Sequence, residues 1–221
     1  MTNIPISYNK RSLAEFFYKI LTFHIPPTNK PRILDPTCGR RFLWRHFLEK
    51  RSLASLFSET GSTSGGLIDK YDVVFSDVKD FGYNKMADIH DLSYDHEFEG
   101  IVYDPPYFFG YSGSKDPRRK DYGDYLQSYE DLLWFMDVAN DKFPSWLTDN
   151  GKLIVKCADQ YQTKERKFYP HHYTWINKLN NFNLIDFFVF IHHRLSPTAF
   201  QVKNRPCSVI MHTYFLIFKV R

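Results

Sequence analysis

The sequence predicts an α/β fold with a mostly parallel sheet and an antiparallel strand pair at its carboxyl end. Three observations predict it. Apolar runs of strand length alternate with stretches of helical periodicity along most of the chain. Three of those runs end at an acid: Ile33-Leu34 before Asp35, Asp72 to Asp77, and Ile101 to Tyr103 before Asp104. Two aromatic, β-branched runs, Leu184 to His192 and Val209 to Val220, follow with no convincing helix between them.

The elements can be justified in chain order. Ser12 to Phe23 reads as an amphipathic helix, with Leu13, Phe16, Phe17, Ile20 and Leu21 at helical spacing and Pro26-Pro27 beyond its end. Ile33-Leu34 is a short buried strand. Phe42 to Phe57 has Leu43, Phe47 and Leu48 on one helical face. Ser58 to Gly66 contains only Ser, Glu, Thr and Gly and reads as a mobile loop. Asp72 to Asp77 and Ile101 to Tyr103 are the next strands. Phe108 to Tyr125 is polar, aromatic and basic and reads as a long loop. Tyr129 to Phe143 is a helix striped by Leu132, Met136, Ala139 and Phe143, which Pro144 is expected to end or kink. Asn150-Gly151 reads as a turn before the strand Lys152 to Lys156, and a further helix is placed around His172 to Leu179.

Composition bounds the function. A chain of 221 residues and 26.4 kDa is read as a single domain. With 43% hydrophobic and 24% charged residues it is globular rather than disordered. Aromatics reach 18%, enough to fill a core and to spare rings for stacking on flat ligands. A net charge of +4 permits a nucleic-acid partner without demanding one. Cys38, Cys157 and Cys207 form no C-x-x-C pair, which argues against a disulfide framework or a zinc ribbon. His171-His172 and His192-His193 lack the i, i+4 spacing of a helical metal site, so no metal is expected. The amino terminus has no apolar signal core, and no run reaches the ~18 apolar residues of a membrane span. The expectation is a soluble protein of a reducing compartment, the cytoplasm.

Two motifs carry chemistry. In Ile101 to Tyr107, I-V-Y-D-P-P-Y, an apolar strand delivers an acid, two prolines and an aromatic to the sheet edge. The prolines fix the backbone and remove two N–H donors. A planar amino group there can donate to Asp104 and to the Pro105 carbonyl, while Tyr107 stacks on its ring. In Ile33 to Gly39, I-L-D-P-T-C-G, a strand, an acid and a tight turn lead into a helix, so that backbone at Gly39 can approach a ligand. In parallel sheets, ligands bind at the carboxyl ends of the strands, where Asp35, Asp77 and Asp104 all fall. The missing G-x-G-x-x-G spacing disfavours a nucleotide-binding oxidoreductase.

Asp35-Pro36-Thr37-Cys38-Gly39 followed by Asp104-Pro105-Pro106-Tyr107 resembles the class I methyltransferases that use S-adenosylmethionine on exocyclic amines. Cys38-Gly39-Arg40-Arg41-Phe42-Leu43-Trp44, with Tyr122-Gly123 and Leu153 to Lys156, resembles one subgroup more closely. That subgroup is the small stand-alone adenine N6 DNA methyltransferases of phages and mobile elements. The similarity spans Ile33 to Asp159, and it departs from the wider family at Arg41, where a second glycine is usual.

The resemblance implies a Rossmann-like, mostly parallel seven-stranded sheet in one catalytic domain without a separate target-recognition part. It implies a cofactor set of Asp35, Pro36, Cys38, Gly39, Asp77, Val78, Asp88 and Ile89. Asp35 would take the methionine amino group and Asp77 the ribose hydroxyls. Asp88 would take the adenine amine, with Asp91 a competing acid one turn away, and Ile89 would pack on the ring. Asp104, Pro105, Pro106 and Tyr107 would be catalytic. Phe108 and Phe109 could help hold a flipped base, with core packing of the loop as the alternative. Lys115, Arg118, Arg119 and Lys120, in a basic run flanked by Tyr111 and Tyr122, are the expected phosphate contacts. Lys164 to Lys167 and Lys203 to Arg205 are weaker candidates of that kind. The expected partner is nucleic acid, DNA ahead of RNA, with dimerisation over a duplex site left open. The same chemistry on RNA is one alternative. A degenerate fold that only binds is another, opposed by the intact D-P-P-Y.

Overall fold

The computed structural model describes residues 8–9, 12–45, 67–82, 84–110, 126–162, 165–192, 210 and 212–221. The loop expected at Ser58 to Gly66, the basic run Lys115 to Lys120, Tyr111, Tyr122, Lys164, Lys203 to Arg205 and Cys207 lie outside the described residues.

The strands are β1 (Tyr8–Asn9), β2 (Arg32–Asp35), β3 (Asp72–Asp77), β4 (Lys85–Met86), β5 (Phe98–Tyr103), β6 (Leu147–Cys157), β7 (Gln160–Gln162), β8 (Lys167–Tyr169), β9 (Phe182–Ile191) and β10 (His212–Val220). The α-helices are α1 (Leu13–His24), α2 (Tyr129–Trp146) and α3 (His171–Lys178). One eight-stranded sheet runs in the order β1-β9-β10-β6-β5-β2-β3-β4, and β7 and β8 form a separate antiparallel pair. The expected seven strands are present, with the two-residue β1 added at one edge beside β9. Only β10 runs against its neighbours, so the antiparallel pair of the carboxyl end is a single reversed strand between β6 and β9.

Alternation along the central strands explains the two layers packed on the sheet. Successive strand residues face opposite sides. Val102 and Ile154 join α1 residues Phe16, Phe17, Ile20 and Leu21 in one core. Ile101, Tyr103, Leu153 and Val155 face the other, with Leu132, Met136 and Phe143 of α2 and Trp175 of α3. Ser12 caps α1 by accepting from the Glu15 amide at 3.2 Å, and Ser128 and Asp131 form a reciprocal capping box on α2.

Two expectations are corrected. Pro144 does not end α2, which continues to Trp146. A proline leaves the carbonyl four residues back without its donor. Here the Asn140 carbonyl accepts instead from the Asn181 side chain at 3.0 Å, and the Asn140 side chain takes the Asn181 amide at 2.9 Å. Asn150-Gly151 is not a turn preceding the strand. It lies inside β6, which absorbs it as an irregularity of its pairing with β5 between Phe98 and Gly100.

Candidate active site

β2, β3 and β5 are adjacent and parallel, so their carboxyl ends lie side by side. A cavity of about 160 Å³ opens there. Every position of the implied cofactor set lines it: Asp35, Pro36, Cys38, Gly39, Asp77, Val78, Asp88 and Ile89. Asp104 and Pro106 line it too, so both motifs reach one space. They are also tied directly, since the Asp104 amide donates to the Thr37 hydroxyl at 3.0 Å.

Asp35 is the most enclosed acid of the site, 2% exposed. Its Oδ2 accepts from the Trp44 indole N–H at 2.7 Å and its Oδ1 from the Thr37 amide at 3.2 Å. Burial pushes its pKa up to about 7, against the Trp44 hydrogen bond and with help from the Asp104 charge. Both of its partners are neutral, so the carboxylate lacks a countercharge. Trp44 belongs to the 3-10 turn Phe42–Trp44, with which the described part of the helix expected from Phe42 begins. Its indole bond to Asp35 went unread in the sequence, although the tryptophan itself belongs to the motif.

The turn after β2 is held by β3. Gly39 has φ +47°, and its amide donates to Asp77 Oδ2 at 2.9 Å. The Lys79 amide donates to Asp77 Oδ1 at 3.1 Å. Each Asp77 oxygen keeps a further lone pair for a hydroxyl. Arg41, where the wider family has glycine, takes the left-handed conformation with φ 54°, and its guanidinium lies 5.3 Å from the Phe75 ring centroid. Cys38 is buried. Desolvation, with Asp35 and Asp77 nearby, raises its thiol pKa, so it packs as a thiol and is no nucleophile.

Of the two acids weighed for the adenine contact, Asp88 lines the cavity, whereas Asp91 is exposed outside it. Asp88 Oδ1 takes the His90 amide at 2.9 Å. The turn that carries Asp88 and Ile89 is fixed from α2 by Lys142, whose ammonium donates to the carbonyls of Ile89, His90 and Leu92. Trp134 of α2, ring to ring with His90 at 4.3 Å, adds an aromatic wall to the cavity.

On the β5 side the parallel register pairs Tyr103 with Val155, which brings the next residues, Asp104 and Lys156, together. Lys156 Nζ lies 2.7 Å from Asp104 Oδ1, 2.9 Å from Oδ2 and 3.3 Å from the Tyr107 hydroxyl. It also stands 5.0 Å from the Tyr107 ring centroid. Burial opposes the ammonium, but Asp104 and Tyr107 outweigh it and hold the Lys156 pKa above its ordinary value. The sequence had placed Lys156 on the next strand without reading this ion pair.

Pro105 is buried beside the cavity rather than in its lining, and Tyr107 packs half-buried against the core with its ring 4.7 Å from Phe108. Phe109 corrects an expectation. It is 2% exposed, packs on Tyr169 and Tyr129, and cannot hold a base. Its backbone is clamped by β7: the Phe109 amide donates to Gln160 Oε1 at 3.1 Å, and its carbonyl accepts from Gln160 Nε2 and Gln162 Nε2. Gly110 follows at φ +73°, where a Cβ would collide with Gln162 Nε2. No group of metal-ligating side chains occurs among the described residues. None of their helices is long and apolar enough to cross a membrane.

No family model matches the sequence, and no curated protein matches it. Solved structures match the fold. The 1,6-didemethyltoxoflavin N1-methyltransferase of Burkholderia thailandensis, with 1,6-didemethyltoxoflavin and S-adenosylhomocysteine bound, aligns over 95% of this chain and 78% of its own, at TM-score 0.50 and 11% identity. The N-methyltransferase NodS of Bradyrhizobium japonicum WM9, in complex with S-adenosylhomocysteine, aligns over 93% and 86%, at TM-score 0.50 and 12% identity. A candidate DNA modification methylase of Thermus thermophilus aligns over 60% of this chain and 49% of its own, at 17% identity, and its TM-score of 0.39 is too low to bear on the argument. The chain therefore has the class I methyltransferase fold. At these identities the likeness extends to the fold and not to the substrate.

Proposed function

We propose that the chain is an S-adenosylmethionine-dependent methyltransferase acting on the exocyclic amino group of a nucleic-acid base, adenine N6 in DNA first. The observation that carries the reading is the meeting of the two acid-proline turns at one cavity, tied by the Asp104 to Thr37 hydrogen bond.

The residues fit the cofactor. Asp35 is a buried carboxylate with only neutral partners, a natural place for the ammonium of a methionine moiety. Asp77 suits a ribose diol through its remaining lone pairs. Asp88 and Ile89 offer an acceptor and an apolar contact for an aminopurine. When bound, S-adenosylmethionine would supply a methyl on a sulfonium: the N–C bond would form as the C–S bond breaks with its electron pair going to sulfur, and the proton lost from the nitrogen would pass to solvent water.

The chain's own part is orientation. Asp104 and the Pro105 carbonyl would accept from the two amino hydrogens, which localises the nitrogen lone pair and aims it at the cavity. Tyr107 and Phe108 would face the base. No strong base is needed beforehand, because the proton becomes acidic only as the N–C bond forms. In duplex DNA the base must be flipped out.

Methyl transfer from labelled cofactor to DNA and to RNA, with nucleoside analysis, tests the reading. Label on N6-methyladenine in DNA alone is the expected result. Label in RNA alone moves the substrate to RNA. Tight cofactor binding with no label on any nucleic acid overturns the proposal.

A further inference from the structure

We infer that Lys156 restricts the acceptor side of this site to an uncharged, conjugated amine, because its ammonium already occupies both oxygens of Asp104. The inference rests on the reading above and deepens it: it explains why an enzyme of this fold would take a nucleobase rather than an alkylamine.

Lys156 and Asp104 are paired within the chain itself, with side chains 10% and 25% exposed. The three protons of the ammonium have three acceptors at hand: the two Asp104 oxygens and the Tyr107 hydroxyl. All three belong to the motif that would face the reacting amine. The strand register fixes the lysine's origin, and the residue is buried.

Two kinds of amine would meet this pair differently. An alkylamine is an ammonium at neutral pH, with no lone pair to donate. It would enter as a second cation beside Lys156. Like charges brought together are a standard means of rejecting a wrong partner. A base amino group is neutral and planar. It needs only a lone pair to donate into, and each carboxylate oxygen keeps one beyond its bond to Lys156. The base can therefore dock without displacing the lysine.

The contrast within the site supports this. Asp35, on the cofactor side, has neutral partners only and is left with an unmatched charge. Asp104 has its countercharge built in. One acid of the cavity is prepared for a cation and the other for a neutral donor.

The test uses a single-stranded oligonucleotide that the labelling experiment shows to be methylated, and a copy with 1-methyladenine, a cation at neutral pH, at the target position. Their affinities are compared by competition for the full chain, its Lys156→Met variant and its Lys156→Arg variant, after thermal melting has shown that each is folded. The wild type should bind the cationic copy at least about tenfold more weakly than the parent. Lys156→Arg should keep that gap, and Lys156→Met should close it to within about threefold. A steric penalty from the added methyl would be the same in all three. If Lys156→Met does not fold, Lys156→Gln is read in its place. A gap that persists in the uncharged variant, or none in the wild type, overturns the inference while leaving the parent reading intact. If no oligonucleotide is labelled by the wild type, the parent reading fails and the inference with it.

Discussion

Asp35 and Asp104 begin alike and end differently. Each closes a buried strand, each precedes a proline, and both line one cavity. Asp35 is enclosed by an indole N–H and a backbone amide, and its pKa rises to about 7. Asp104 sits against an ammonium at 2.7 Å. The difference teaches that the motif residue alone does not define what an acid will bind. On the proposed function, the neighbour that neutralises it, or fails to, would decide between a cationic and a neutral guest.

The comparison can be broken from either side. Asp104→Ala should have the largest effect, lowering transfer by roughly a thousandfold or more while cofactor affinity stays within about threefold. Full activity in that variant would remove Asp104 from the chemistry. Asp35→Asn should do the reverse and weaken cofactor binding by roughly tenfold to a hundredfold in calorimetry, because an ammonium loses its charged partner. The same variant should melt no lower than wild type without cofactor, since a buried and unmatched carboxylate is gone.

A pH series sharpens the contrast. Cofactor affinity should weaken about tenfold for each pH unit below about 7, as Asp35 takes up the proton that a bound ammonium must displace. Stability without cofactor should move the other way. The folded acid holds its proton up to about 7 and the unfolded one only to 3.8, so the Asp35 contribution is full below 3.8 and is lost as pH rises through 7. Trp44→Phe removes the indole donor from Asp35 and should shift the midpoint of the binding profile upward by about one unit. An unshifted midpoint would mean that another group titrates.

The smallest effect tests the packing beyond the site. His171 is fully buried, neither ring nitrogen has a hydrogen-bond partner, and burial lowers its pKa to about 4. It stacks on Tyr169 and Tyr129 as a neutral ring. His171→Phe should therefore change stability by no more than about 1 kcal/mol, read by denaturant titration.

Much of this was legible in the sequence because the signals were local. Asp72 to Asp77 is a strand at the residues its apolar run marked. Asp35 to Gly39 and Asp77-Val78 reach one cavity because each set ends or follows a strand whose apolar run could be read, whereas Asp88 and Ile89 follow β4, two exposed residues with no such run. What stayed hidden depended on partners distant in the chain. Pro144 is tolerated inside α2 because Asn181 supplies the missing donor. Phe109 is core because β7 clamps its backbone, and neither the β7–β8 pair nor the clamp has a periodic signature. Lys156 meets Asp104 through strand register, which no single run of residues records.

The glutamine clamp has one more consequence. Gln160 and Gln162 grip only the main-chain atoms of Phe109, not its ring. None of these bonds involves the side chain at neighbouring Phe108. On the proposed function, a substitution at Phe108 would change the face offered to the acceptor while these main-chain bonds remain available. Such an arrangement would separate what is recognised from how the reaction is aligned.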